Sequence, residues 1–407
     1  MSRRPLRGVR VLAAEQMIAL PHATQLLALL GAEVLKVEPL QGESGRHGRP
    51  QVDEADGSKT GSTFVRSNLN KETLSIDLKS DRGRALFLDL AEKVDVVAEN
   101  FRPGTADQLG IGYEAVRARN PGVIYVSISG FGNRSDPASP YREWPAYAPV
   151  VEAMAGLYEY AREGEAPPRL ASAGALGDVG PALYAVIGLL SALHERSRTG
   201  EGSRVDVSMY DAMIALADVV HLESVGVDPS RATRGIGILD AFRARDGWFT
   251  IEVVREPHFP RLCDAIGHPE WKEDERLATR AGWAEHLESV IRPGVEAWAA
   301  GMTRREAASI LARHGVAAGP VNRGSDITAD PHVTDRGFVH RFDLPGSQGS
   351  VDVVGSPIHF AGGDPSEAET RPRRWPILGE QTDRVLSERL GLSQKEITAL
   401  REGDIVR

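Results

Sequence analysis

The sequence predicts an α/β protein, with a mostly parallel sheet covered by helices on both faces and a second, smaller α+β domain. Three observations carry this. Short apolar runs alternate with segments of helical period through the first hundred and thirty residues, the composition changes after Met213, and strand and helix patterns return in the tail.

Val9 to Ala14 reads as a buried strand, Pro21 to Leu30 as a helix opened by its proline and stopped by Gly31, and Glu33 to Glu38 as the next strand. That is a β-α-β unit. The polar stretch from Pro39 to Asn68 reads as a long loop. Thr73 to Leu78 resumes as strand, Arg82 to Glu92 as helix, Val94 to Ala98 as strand, Tyr113 to Arg119 as helix and Val123 to Ser129 as strand. The turn after the first strand, Ala14 to Pro21, lacks a Gly-x-Gly-x-x-Gly fingerprint, which argues against a dehydrogenase.

Leu183, Val186, Ile187, Leu190 and Leu193 keep the spacing of a buried helix that stops near Gly200-Glu201-Gly202. Further on, Phe242 to Val254 gives two short strands around an Asp246-Gly247 turn, followed by amphipathic helices over Glu285 to Ala300 and Arg304 to His314. In the tail, Val351 to Val353 reads as a short strand and Gln381 to Leu400 as two helices joined at Gly391. The large domain is therefore expected over residues 1–222, completed by 335–407, with the small domain at 223–334.

Composition narrows the function classes. With 407 residues and 41% hydrophobic content, the chain can bury a substantial core, and no apolar run looks long enough to span a bilayer. The first residues are basic but lack the apolar stretch of a secretory signal, so a cytoplasmic location is expected. A formal net charge of -9 argues against general nucleic-acid binding. Cys263 is the single cysteine, and the eleven histidines show no ligand spacing, so no metal is expected. Between residues 46 and 102, however, Arg46, Arg49, Lys59, Arg66, Lys71, Lys79, Arg82, Arg84 and Arg102 form a basic stretch. It reads either as a solvated face or as a site for a compact polyphosphate.

One acid stands out in "GALGDVGPALYAVIGLLSALHERSRTGEGSRVDVSMYDAM": Asp178, among small residues at the mouth of the long helix. As an N-cap it would accept the first-turn amides, for about 1 kcal/mol. As a nucleophile it would be kept ionised by the helix N-terminus, with Gly177 and Gly180 clearing space for a substrate. A carboxylate so placed can attack an activated acyl group to give an anhydride.

The same stretch resembles the central signature of the class III CoA-transferases, the family of formyl-CoA and carnitine CoA-transferases that includes the α-methylacyl-CoA racemases. Also similar, in the family's order, are "LRGVRVLAAEQMIALPHATQLLALLGAEVLKVEP", "LNKETLSIDLKSDRGR", "VDVVAENFRPG", "NPGVIYVSISGFG", "HGVAAGPV" and "LGEQTDRVL". The resemblance implies a Rossmann-like large domain and a ring-shaped chain, two of which interlock as a homodimer. It also implies that Asp178 carries the acyl group, that coenzyme A enters as acyl-CoA, and that a carboxylic acid is the acceptor. Ala19, Ile76, Lys79, Asn100, Phe101 and Arg102 match positions that line the family's CoA site, chiefly around the adenine and phosphates; Tyr147 is expected to shape the acyl pocket, and Arg142, Glu152, Tyr158 and Tyr160 to lie near the acyl end. Ile18 replaces a frequent Gln and Pro39 an Arg, and a glycine-run loop is missing, which argues against formyl-CoA and oxalate.

Two other activities fit the same resemblance. A racemase needs two bases, but the His-Asp pair of that branch is replaced by Tyr147 and Ala148, and a tyrosine titrating near pH ~10 is a poor base at neutrality. A silent acyl-CoA-binding protein would have no need of Asp178 and its glycines.

Overall fold

The computed structural model describes residues 4–133, 138–160, 166–170, 174–217, 219–227, 237–346, 349–360 and 372–407. Two compact units result: one of Met1–Tyr158, Leu170–Ala217 and Asp335–Arg407, the other of Glu159–Arg169 and Asp218–Thr334.

The first unit begins with β1 (Arg10–Ala14), α1 (Ala19–Leu29) and β2 (Glu33–Glu38). Pro21 falls inside the first turn of α1, where its missing amide hydrogen is no loss, and Gly31 leaves the helix at φ 104°. The stretch expected to be a loop is largely structured instead. It holds the hairpin β3 (Gln51–Asp53) and β4 (Lys59–Gly61), then α2 (Ser62–Ser67). Polar sequence hid this order because buried ion pairs, not apolar periodicity, supply it: Arg46 makes two 2.7 Å bonds to Glu38, and Arg374 and Trp375 each donate to Glu54 at 2.7 Å. Gly61 is required, since a Cβ there would stand 2.4 Å from the Gly45 carbonyl oxygen.

The pattern continues through β5 (Glu72–Ser75), α3 (Asp81–Ala91), β6 (Val96–Glu99), α4 (Thr105–Gln108), α5 (Tyr113–Arg119), β7 (Ile124–Ser129), α6 (Ala148–Met154), α7 (Leu157–Tyr160), α8 (Leu176–Thr199), β8 (Ser203–Ser208) and α9 (Met209–Leu216). Six strands form one sheet in the order β5-β2-β1-β6-β7-β8, with every neighbouring pair parallel. Counted along the chain this is 3-2-1-4-5-6, the doubly wound order, which reverses between β1 and β6. Strand β8 has little sequence signal, because Ser203-Arg204-Val205-Asp206-Val207-Ser208 alternates weakly and follows a glycine-rich turn.

Helix α8 corrects the reading of its apolar stripe. The buried face consists of small residues, Gly177, Gly180, Ala182, Ala185 and Ala192, with Leu189, whereas Leu183 and Ile187 are 47% and 60% exposed. Small side chains let the helix lie close to the sheet, so the larger ones point away. By length and composition α8 could also cross a membrane, contrary to expectation, but it lies within the first unit, packed on its core. The tail adds β12 (Val339–Asp343), β13 (Ser350–Val354), α17 (Thr382–Leu390) and α18 (Gln394–Glu402), the last two burying Val385, Leu386, Ile397 and Leu400 against the sheet face that carries Leu12 and Leu35.

In the second unit α10 (Val219–Ser224) leads to the antiparallel strands β9 (Ile238–Ala244) and β10 (Gly247–Val253), joined by the Asp246-Gly247 turn, with β11 (Ala317–Pro320) on the other side of β10. Helices α11 (His258–Ile266), α12 (Arg280–Glu285), α13 (Arg292–Ala299) and α14 (Arg304–Arg313) pack one face of this sheet, followed by α15 (Gly324–Thr328) and by α16 (Pro331–Arg336) at the boundary of the unit. The helix expected over Glu285 to Ala300 is interrupted by a π-turn at Leu287–Ile291. Cys263 is buried in this core, and burial pushes its thiol up to about 11.

Candidate active site

In a doubly wound sheet the loops after the two strands flanking the reversal part to opposite faces and leave a crevice at the strands' carboxyl ends. Here those loops are Glu15–Ile18 after β1 and Asn100–Gly104 after β6. They are tied together: Asn100 accepts the Gln16 amide hydrogen through Oδ1 and donates to its carbonyl through Nδ2, both at 2.9 Å. Met17 sits in the left-handed region at φ 64°, and Glu43 holds it there by accepting its amide at 3.0 Å.

Beneath this turn lies a charged cluster that sequence reading did not foresee. Lys71 donates to Glu15 at 2.7 Å and to the Pro21 carbonyl at 2.8 Å, while Lys36 lies 3.6 Å from Glu15 and 3.5 Å from Glu43. All four side chains are almost wholly buried. Burial would raise the Glu15 carboxyl, but the charges of Lys71 and Lys36 outweigh it and hold Glu15 below its ordinary value. The signal was available in "EVLKVE", where two charged residues face inward on a central strand. Arg46 and Lys71 are thus structural, while Lys79 and Arg102 make no ion pair among the described residues.

Asp178 is the third residue of α8 and not its N-cap, a place taken by Ala175 in left-handed conformation at φ 59°. The acceptor for the helix end comes from α6: Glu152 Oε1 takes the Gly177 amide hydrogen at 2.7 Å, and its Oε2 takes the Tyr158 hydroxyl. The two glycines do not clear substrate space either. A Cβ on Gly177 would lie 2.7 Å from Ala148 Cα, and one on Gly180 would lie 2.5 Å from Leu216 Cδ1. They allow α6 and α9 to close on α8.

The half-buried Asp178 carboxyl faces a cavity that Ala19, Asn100, Phe101, Arg102 and Tyr147 also line, with Met17 and Trp144. Burial pushes its pKa up to about 6, the charge of Glu152 adds to this, and Arg66 opposes it. The helix N-terminus therefore does not decide its basicity, contrary to expectation. A second cavity holds Ile76 and Lys79, and Gln16 and Phe101 belong to both. Arg142 is not among the residues lining either one. Its guanidinium pairs with Glu143 at 3.2 Å and lies 3.7 Å from the place of a Gly104 Cβ, because the chain from Pro140 to Pro145 turns it toward the Gly104 loop.

Glu99, buried at the end of β6, accepts the Phe101 amide hydrogen at 2.8 Å, and burial pushes its carboxyl up to about 7. Trp144, Met17 and Glu99 were not singled out from sequence; a turn residue, an isolated aromatic and a strand-end acid have no periodic signature. Among the described residues no cluster of three His, Cys, Asp or Glu side chains could hold a metal ion.

Comparison with known proteins gives a consistent picture. Residues 6–382 match the model of "CoA-transferase family III". The chain is 34% identical over 393 residues to the succinyl-CoA:mesaconate CoA-transferase of Haloarcula hispanica, covering 94% of this chain and 96% of that protein. It is 32% identical over 414 residues to the succinyl-CoA--D-citramalate CoA-transferase of Chloroflexus aurantiacus, covering 99% and 98%. Among solved structures, a CAIB/BAIF family protein from Brucella suis superposes with a TM-score of 0.82 at 31% identity, covering 96% of this chain and all of that one.

Proposed function

Because the chain belongs to CoA-transferase family III, an enzyme family that moves CoA between an acyl-CoA and an acid, we propose that Asp178 is the residue through which this transfer runs. The observation that carries the reading is the Asp178 carboxyl in the cavity at the sheet's crevice, with a pKa of about 6. At neutral pH the group is mostly ionised, yet it is more basic than an ordinary aspartate and so a better nucleophile.

In the first step an Asp178 oxygen attacks the thioester carbonyl carbon, the C–S bond breaks, and CoA leaves as thiolate, which gives a mixed anhydride. The thiolate then attacks the aspartyl carbonyl and releases the donor acid as its carboxylate. An acceptor carboxylate attacks the resulting aspartyl-CoA thioester, and CoA thiolate attacks the acceptor carbonyl of the second anhydride to free Asp178. No step needs ATP or a metal ion, since the acyl activation is conserved throughout.

CoA lies across both cavities in this reading. Ile76 and Lys79 receive the adenine end, Gln16 and Phe101 form the shared wall, Arg102 meets the phosphates beside that wall, and Ala19 and Tyr147 lie toward the thioester. The uncommitted charges of Lys79 and Arg102 support phosphate binding over a solvated face. Asn100 acts as a strap, since both ends of its carboxamide hold Gln16. The two curated relatives are named for succinyl-CoA with mesaconate or D-citramalate, and a dicarboxylic acid of similar length is the acceptor class proposed here.

The enzyme works as a homodimer whose partner covers the exposed Leu183, Ile187 and Leu190 of α8, in the interlocked form that the family resemblance implies. A cytoplasmic location is part of the same reading. The test is incubation with succinyl-CoA and a panel of dicarboxylic acids, with CoA exchange followed by chromatography and the Asp178 peptide examined by mass spectrometry. Exchange with an acyl or CoA adduct on Asp178 is expected, and neither in Asp178→Asn. Exchange at the wild-type rate in that variant would reject the assignment.

A further inference from the structure

Glu152 is the carboxylate that bears most directly on Asp178, and the cycle above leaves it unused. Its side chain is 3% exposed. Both oxygens are engaged, Oε1 by the Gly177 amide and Oε2 by the Tyr158 hydroxyl, and both donors are neutral. Among the described residues no Lys or Arg pairs with it. A buried carboxylate without a cation is an expensive way to cap a helix, because a neutral glutamine would offer the same acceptor to Gly177.

Its position explains why the charge is kept. Gly177 precedes Asp178 in the first turn of α8, so the group that fixes the Gly177 amide also fixes the backbone that aims the Asp178 carboxyl. The other charged or titratable groups around the acid come from separate elements. Arg66 on α2 reaches the Gly174 carbonyl at 2.9 Å, His22 on α1 lies under the same Arg66 charge, and Arg102 and Tyr147 line the cavity. Glu152 is the negative member of this set.

We propose that Glu152 is a positioning residue with an electrostatic second role: it anchors the helix amide next to Asp178, and its negative charge makes that carboxylate a stronger nucleophile toward the acyl-CoA thioester. The inference rests on Asp178 being the nucleophile. Physically, a like charge held nearby under burial disfavours the anion, and an anion so disfavoured bonds more readily to a carbonyl carbon as well as to a proton. The burial that raises Asp178 acts in the same direction, so the two reinforce one another.

The experiment separates the two roles of Glu152. In Glu152→Gln the acceptor for Gly177 survives and the charge is lost; in Glu152→Ala both are lost. Removing a like charge lowers the pKa of Asp178, so the acid limb of the kcat/KM profile in Glu152→Gln should move down by roughly one pH unit. With a Brønsted slope of about 0.5, the plateau rate should fall about threefold. Glu152→Ala should show the same shift, a further loss in kcat from the freed helix end, and a lower thermal midpoint. The position of the Asp178 carboxyl titration can also be read by carbon NMR on aspartate-labelled protein, assigned by its absence in Asp178→Asn, and this readout needs no turnover. An unchanged titration and an unchanged acid limb in Glu152→Gln would overturn the electrostatic role, whether or not Glu152→Ala folds. If no acyl-CoA and acid pair exchanges CoA, the transferase reading of Asp178 fails, while the NMR titration still decides whether Glu152 raises its pKa.

Discussion

Replacing Asp178 with Asn should stabilise the folded protein while removing its activity. The carboxyl titrates at about 6 in the folded chain, against 3.8 for an ordinary aspartate. Each pKa unit corresponds to about 1.4 kcal/mol, so holding the ionised group in place costs about 3 kcal/mol at pH 8. The sign follows from proton counting. Between pH 3.8 and 6 the folded state binds more protons than the unfolded chain, so stability falls as pH rises through this window. Above it the penalty is complete, and below it the penalty vanishes. Asn carries no charge at any pH and fits the same space. Denaturant unfolding of both proteins at one fixed concentration, from pH 4 to 8, should show the variant ahead by up to about 3 kcal/mol at pH 8, with the gap closing toward pH 4. A variant no more stable than wild type at pH 8, or a gap independent of pH, would refute the reasoning.

Lys79→Ala and Arg102→Ala should each raise the KM for acyl-CoA by roughly tenfold to a hundredfold, as expected for a lost charge-assisted bond, and the effect should shrink as salt is added; initial-rate kinetics at two ionic strengths checks this. Lys71→Met should destabilise the first unit by about 3 to 5 kcal/mol, because Glu15 is left buried without its 2.7 Å partner, and denaturant unfolding would show it. Sedimentation should give one dimeric species down to nanomolar concentration, with dimer and helical signal lost together in denaturant; a folded monomer would reject the interlocked arrangement.

Much of the scaffold was legible because its signals are local. Strands β1, β6 and β7 are short, mainly apolar runs buried on both faces, β2 keeps Val34, Leu35 and Val37 between its charges, and α1, α3 and the tail helices end at glycines or caps that the sequence displays. The acid at the mouth of α8 was visible for the same reason: a lone charge before an apolar segment needs no partner to be noticed.

Which face of α8 is buried, by contrast, depends on what lies opposite it. Periodicity gives a stripe of leucines but not its surroundings, and the sheet selects the alanine and glycine face because close approach buries more contact than large side chains would allow. The glycines beside Asp178 likewise have meaning only through Ala148 and Leu216, which are distant in sequence or on another helix. The basicity of Asp178 comes from burial and from Glu152 twenty-six residues earlier, against the opposing charge of Arg66 on α2, so no local rule could supply it. The order of residues 39–68 rests on ion pairs reaching to Glu38 and Arg374. Sequence by itself thus determined the strands and helices with local apolar signals and where one lone carboxylate stands; tertiary structure decided its pKa, its anchoring and its cavity, because electrostatic and packing energies depend on distance in space and not on distance along the chain.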